Sequence, residues 1–223
     1  PTDRFPYRAM LTGLIANALG WSRLDDRAHE ALQARVRHGA RIDRQGEPFV
    51  DYQTVDFDPG GPMGDARSWT TRGVLEPRKG GSAADGTHIR YRHYLADAVV
   101  TVALTLDPID ASPSFDDLGE ALKRPARPLF IGRKCCVPSA PVWVEEREEE
   151  SLRRALEVAP RVHHRPTTDE PLPALWPAGK ELEALAVPRV EDRDFRNSIH
   201  VGRRFYVEGT VDPPRVAHQV EAP

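Results

Sequence analysis

Hydrophobic positions first recur at helical spacing: Met10, Leu11, Leu14, Ile15, Ala18 and Leu19 share one face of the segment Arg8 to Gly20. Pro6 suits a first turn and Gly20 a C-terminal stop, so the spacing predicts a helix between them. A second, shorter helix is expected from Asp25 or Asp26, whose carboxylates favour a helix N-terminus, through Leu32. From Arg35 the period drops to two. Val36, His38, Ala40 and Ile42 take one face of a strand, and Arg35, Arg37, Gly39, Arg41 and Asp43 the other. Gln45-Gly46 reads as a turn and Phe49 to Val55 as the returning strand of a hairpin. Ala98 to Leu106 is almost continuously apolar, the pattern of a central strand covered on both faces. Ser112-Pro113-Ser114 precedes Phe115, Leu118 and Leu122, which predicts a helix starting near Ser114 and ending before Pro125. Pro128 to Ile131 reads as a short strand.

With one more strand ahead of Pro1, this order becomes the β-α-β-β-α-β order of a ferredoxin-like domain, an α+β architecture shared by RNA-recognition folds. Residues 1–138 are assigned to that domain, and 139–223 to a C-terminal region that completes or flanks its sheet. Two stretches break the pattern. Asp56 to His88 holds seven glycines and few aliphatics, which predicts a protruding insertion over residues 56–90. Past Pro138, Glu145 to Glu157 reads as a charged helix with Glu149/Arg153 and Glu150/Arg154 at i, i+4. Pro166, Pro171, Pro173 and Pro177 then look like a linker, and Ile199 to Val207 like a late strand.

Composition narrows the class. The 223 residues are 39% hydrophobic and 29% charged, with 21 Pro and 16 Gly, which excludes a coiled coil or collagen. No stretch approaches the roughly 20 apolar residues of a membrane span. Cys135 and Cys136 are adjacent, awkward for a mutual disulfide and too few for a structural zinc site; they read as small buried residues in a cytoplasmic protein without a secretion signal. No metal or cofactor is expected. Net charge is −3, yet residues 66–94 carry six basic against two acidic side chains, with Trp69, Tyr91 and Tyr94 interleaved. Cations and rings on a Gly-rich arm suit phosphate contact and base stacking on single-stranded nucleic acid; a solvated loop explains the same composition.

The candidate contacts follow from position. Arg4 and Arg8 flank the start of the first helix, where backbone N–H groups favour a phosphate, and Tyr7 between them can stack on a base; ordinary capping is the competing reading. Arg78 and Lys79 lie on the arm. Arg90, Arg92 and Tyr94 share one face of the strand leaving it. Tyr52 and Gln53 face opposite sides of the hairpin, and Tyr52 suits the core as well as RNA. Arg133 and Lys134 follow an apolar run in a loop opened by Gly132, which lets the chain approach a nucleic-acid or protein backbone. His163 and His164 point apart and read as surface residues. Asp51, His93 and Ser139 form a hydrolase triad only on paper.

Five pieces occur in register: Arg4-Phe5-Pro6-Tyr7-Arg8; Gly13-Leu14-Ile15 with Leu19-Gly20; Asp51-Tyr52-Gln53-Thr54; Arg92-His93-Tyr94-Leu95-Ala96-Asp97-Ala98; and Pro128-Leu129-Phe130-Ile131-Gly132-Arg133-Lys134-Cys135 with Pro138. Together they resemble the Cas-five subunit family of type I-E CRISPR Cascade complexes. The likeness covers Pro1 to Pro138 and thins beyond, where Phe205-Tyr206-Val207 resembles a closing strand. Relatives carry a strand before the position of Pro1, often His at Gln53, and one Cys where this chain has two. The resemblance implies a non-catalytic subunit that caps the 5′ handle of crRNA. Its expected partners are the neighbouring backbone subunit, reached by a thumb over 56–90, and the large PAM-reading subunit; target DNA is met only indirectly. Related subunits of another CRISPR subtype are metal-independent endoribonucleases, for which Tyr52, Lys134 and His93 are the nearest candidates here. A protein-only adaptor is a third reading.

Overall fold

The computed structural model describes residues 3–56, 67–69, 75–77, 87–162, 170–179 and 185–214. Two units divide the chain: residues 46–97 form one, and residues 3–45 with 98–223 the other.

The larger unit is built on helices α1 (Arg8–Ala18) and α2 (Asp26–Arg35) and strand β1 (Val36–Arg44). The smaller unit holds β2 (Glu47–Asp56), β3 (Arg67–Trp69), β4 (Leu75–Pro77) and β5 (Thr87–Ala96). The chain then returns to the larger unit with β6 (Val99–Leu106), α3 (Phe115–Lys123), α4 (Leu152–Val158), β7 (Leu172–Pro177), β8 (Val187–Asp194) and β9 (Ile199–Val211). Five of these strands form an antiparallel sheet in the order β6-β1-β7-β9-β8.

Both faces of β1 are covered, including the face on which alternation places Arg41 and Asp43. Val36 packs with Ile15, Leu32, Leu106 and Leu118 beneath α1, α2 and α3. Ala40 and Ile42 join Phe5, Leu175 and Tyr206. On the opposite face Leu156 of α4 sits among Ala174, Trp176, Val207 and Val211. A Cβ on Gly39 would come within 3.0 Å of the Leu175 carbonyl and 3.1 Å of Leu156 Cδ1, so glycine lets this strand meet α4 closely without displacing either. The α3 start carries a reciprocal cap. Asp117 N–H donates to Ser114 Oγ at 3.1 Å, and Ser114 N–H to Asp117 Oδ2 at 2.8 Å.

Several expectations are overturned. The predicted hairpin does not form: β1 pairs with β6 and β7, while β2 pairs with β5. The apolar run of β6 offers β1 a more buried partner than polar β2 does. The strand expected to be central, β6, lies at an end of the described sheet. Pro128 to Ile131 is no strand; its chain runs along α1, with Ala126 N–H donating to Ala18 O at 2.8 Å and Asn17 Nδ2 to Pro128 O at 2.9 Å. The charged helix is confined to α4, capped by Ser151 Oγ accepting from Arg154 N–H at 3.1 Å. Its ion pairs are Arg153–Glu157 and Arg154–Glu157 instead of those expected. The supposed proline linker contains β7, the middle strand of the sheet. Its ladder to β1 is only Ala40↔Leu175 and Arg41↔Ala174, between Pro173 and Pro177, so neither proline interrupts that pairing.

Candidate nucleic-acid interface

The β2–β5 ribbon has the continuous register Glu47↔Ala96 to Asp56↔Thr87. Opposite residues share a face, so Arg90 and Gln53, Arg92 and Asp51, and Tyr94 and Phe49 line one side. The arginines are exposed and Tyr94 half-buried, its ring 6.1 Å from that of Phe49. Arg90 Nη1 donates to Ile89 O at 3.0 Å, and the Gln53 amide to the Asp51 carboxylate. This is the row expected from alternation: two cations beside rings and an amide. Asp51 adds a negative charge to the same face.

The other face carries Tyr52 opposite Tyr91, with Val50 opposite His93 and Ile89 opposite Thr54. Tyr52 is 55% exposed, which excludes it from the core, and its ring meets that of Tyr91 edge-on at 5.5 Å. Tyr91 was seen in the sequence only as an interleaved aromatic. The register mates it to Tyr52, a relation invisible until β2 and β5 are known to pair. His93 lies on this face and Asp51 on the opposite one, so Asp51, His93 and Ser139 do not make a triad. Of the nuclease candidates, Tyr52 and His93 share a ribbon face and Lys134 belongs to the larger unit.

Arg133 and Lys134 are exposed in a tight loop. Gly132 takes φ +75°, Arg133 N–H donates to Ile131 O at 2.9 Å, Cys136 N–H to Arg133 O at 2.8 Å, and Ile131 N–H to Cys136 O at 2.8 Å. The left-handed residue turns the chain so that both cations face solvent. The cysteines are not buried: Cys135 is exposed and Cys136 half-buried.

At the α1 start the expected phosphate site is already filled. The Arg8 backbone N–H donates to the buried Glu191 carboxylate at 2.7 Å. The Arg8 side chain is 2% exposed, its Nε donating to Asp192 at 2.6 Å and Nη1 to Val36 O at 3.5 Å. Arg8 therefore ties α1 to β8 from inside the fold, a correction to its assignment as an RNA contact. Tyr7 is also engaged: its hydroxyl donates to Asp3 at 2.6 Å and its ring lies 5.4 Å from the Arg189 guanidinium. Burial, then the Asp3 hydrogen bond, pushes its phenol up to about 12. Arg4 is exposed and lies over the Phe5 ring. Arg78, Lys79, His163 and His164 lie outside the described residues.

Among the described residues no cluster of His, Cys, Asp or Glu could hold a metal ion. None of their helices is long and apolar enough to cross a membrane.

Comparison with known proteins gives this surface a context. The family described as CRISPR-associated protein (Cas_Cas5) matches residues 1–207. The Escherichia coli (strain K12) protein named CRISPR system Cascade subunit CasD is 31% identical over 156 residues, covering 70% of this chain and 65% of that protein. A solved structure described as a CRISPR RNA-guided surveillance complex contains a chain that superposes with TM-score 0.63 and 26% identity, covering 96% of this chain and 81% of that one. A crystal structure of a Cas protein gives TM-score 0.59 at 25% identity, with 95% and 83% covered. A match over residues 1–207, carried through both units, places the chain in the Cas5 family of CRISPR-associated proteins.

Proposed function

We propose that this protein is a non-catalytic, cytoplasmic subunit of a Cascade-type surveillance complex that binds and caps the 5′ handle of crRNA. The observation that carries the reading is membership of a family that includes a named Cascade subunit. The row of exposed Arg90 and Arg92 with half-buried Tyr94 supports it, because two cations and a ring at alternate strand positions, about 6.8 Å apart, match successive phosphates and an unstacked base. On this reading the larger unit is a ferredoxin-like domain of the RRM/RAMP type and residues 56–90 are its thumb. The thumb reaches the backbone subunit, the large PAM-reading subunit lies alongside, and target DNA is read by the guide.

Handle RNA is expected to bind with a strong salt dependence. The double variant Arg90→Ala/Arg92→Ala reduces the log–log salt slope by about 1.4, at about 0.7 per lost single-strand phosphate contact. The pair Arg133→Ala/Lys134→Ala gives a similar reduction with an unchanged unfolding midpoint. Filter binding between low and high salt measures both. Binding that ignores salt would favour the protein-only adaptor.

The nuclease alternative is tested with labelled repeat RNA in EDTA. The expected result is intact RNA, and cleavage abolished by His93→Ala would reverse the assignment. Gln53 stands where relatives often carry a proton-transferring His, which weighs against catalysis.

A further inference from the structure

We propose that residues 124–134 form a second phosphate track, on the larger unit, in which Arg124 and Arg127 extend the loop of Arg133 and Lys134 along α1 and hold the backbone of a single-stranded RNA. The inference rests on the handle-binding reading and adds to it residues outside the ribbon. Charge comes first. Lys123, Arg124, Arg127, Arg133 and Lys134 are all exposed, and no acidic residue occurs between Glu120 and Glu145. The helix alongside adds no counter-charge, because α1 carries no carboxylate.

Geometry turns this composition into a line. Ala126 N–H donates to Ala18 O at 2.8 Å and the Asn17 amide to Pro128 O at 2.9 Å, which fixes residues 126–128 at the C-terminal end of α1. Gly132 lies near the other end, where a Cβ would stand 3.8 Å from the Met10 sulfur. Met10 and Ala18 are separated by about 12 Å of helix rise. The segment therefore runs antiparallel to α1 with a pair of cations at each end, too far apart for one phosphate and in line for several.

The cations near Ala18 are held without being neutralised. Arg127 donates from Nη1 to Trp21 O at 2.7 Å and from Nη2 to Gly20 O at 2.8 Å. Both acceptors are uncharged carbonyls, so the guanidinium is oriented while its charge stays whole, and a guanidinium has further N–H groups to offer a phosphate. Arg124 follows the last turn of α3, and its side chain makes no ion pair or hydrogen bond among the described residues. Lys123 differs: Glu120 engages it at 3.1 Å and it lies over the Trp143 ring, so it is left out of the track. An acidic protein segment is the competing occupant, because an apolar groove lined by Leu122, Leu129, Pro138 and Trp143 borders the strip. None of Arg124, Arg127, Arg133 and Lys134 lines that groove, which favours a ligand that follows the cations alone.

The test titrates the full chain with labelled 5′-handle RNA across salt concentrations. Arg124→Gln/Arg127→Gln is expected to lower the log–log salt slope by about 1.4, or about 25-fold weaker binding at about 0.1 M salt. Arg124→Lys/Arg127→Lys keeps the charge and is expected to keep the slope. Arg124→Gln alone, which breaks no side-chain contact among the described residues, is expected to lower it by about 0.7 and decides the matter if the double variant unfolds more easily. Combined with Arg133→Ala/Lys134→Ala, the glutamine pair's reduction is expected to add in full, to about 2.8, as for sites about 12 Å apart. A wild-type slope in both glutamine variants would overturn the track while leaving handle binding by the ribbon in place. Glutamine variants that keep the slope but fail to assemble with the other subunits would overturn it in favour of an acidic protein. Wild-type protein that binds no handle RNA, or binds it without salt dependence, would overturn the track together with the reading beneath it.

Discussion

Replacing Arg41 by methionine is expected to lower the unfolding free energy by about 3–5 kcal/mol, the cost of breaking a buried ion pair from one side. Arg41 is fully enclosed in β1. Its guanidinium donates to Asp43 at 2.7 and 3.3 Å, to Thr101 Oγ1 at 3.3 Å, and to the carbonyls of Leu156, Ala159 and Pro160 at 2.5, 2.6 and 2.8 Å. It thereby fixes the C-terminal end of α4 to the sheet and neutralises a carboxylate that is itself buried. The methionine stem fills much of the space but leaves Asp43 without its charge partner and the α4 carbonyls short of donors. Urea unfolding checks the expectation as a lower midpoint at constant m-value. The double variant Arg41→Met/Asp43→Leu is expected to recover part of the loss, because the stranded charge is then gone.

Acid is expected to destabilise the fold well before the carboxylates titrate. His38 is buried in β1, where Nε2 donates to the Pro6 carbonyl at 3.2 Å and Nδ1 faces the Tyr206 hydroxyl at 3.3 Å. Burial pushes the imidazole down to about 4, opposed by the Pro6 bond and reinforced by the positive charges of Arg8 and Arg189. The Glu191 carboxylate, 3.9 Å away, does little for the imidazolium because it is engaged by Arg189 Nε and the Arg8 amide. The unfolded chain takes up its proton near 6.5, the folded chain only near 4. The unfolded state therefore binds more protons between those values, and stability present above pH 6.5 falls as the pH drops to about 4. The full loss is about 3.5 kcal/mol at about 1.4 kcal/mol per unit. Denaturant midpoints across that range, for wild type and His38→Gln, measure it. The variant is expected to flatten the slope above pH 4.5, and an equal slope in both would assign the effect elsewhere.

These buried groups explain why the candidate interface was only partly legible. Counting cations along the sequence treats every arginine as a prospective phosphate ligand. Arg8, Arg35, Arg41 and Arg161 are instead internal ties. Arg35 alone clasps the carbonyls of Pro108, Ala111 and Pro113. A loop carbonyl that needs a donor carries no signature in the residues around the arginine that reaches it. The row on the ribbon was legible, because alternation fixes that Arg90, Arg92 and Tyr94 share a side whichever strand pairs with them. The Tyr52–Tyr91 contact was not, since it depends on the register of two segments separated by the arm.

By itself the chain determined what short-range physics controls. It set α1 with its stop at Gly20, the start of α2, α3 with its Ser114 cap, the alternation of β1, the late strand and the ribbon's parity; its motifs in register pointed to the family. Only the tertiary structure decided which strands meet, that a proline-flanked segment lies mid-sheet, and that a glutamate 183 residues away fills the α1 N-terminus. Periodicity and capping act within a few residues, whereas partner choice depends on which distant surfaces bury most and leave fewest polar groups unmatched.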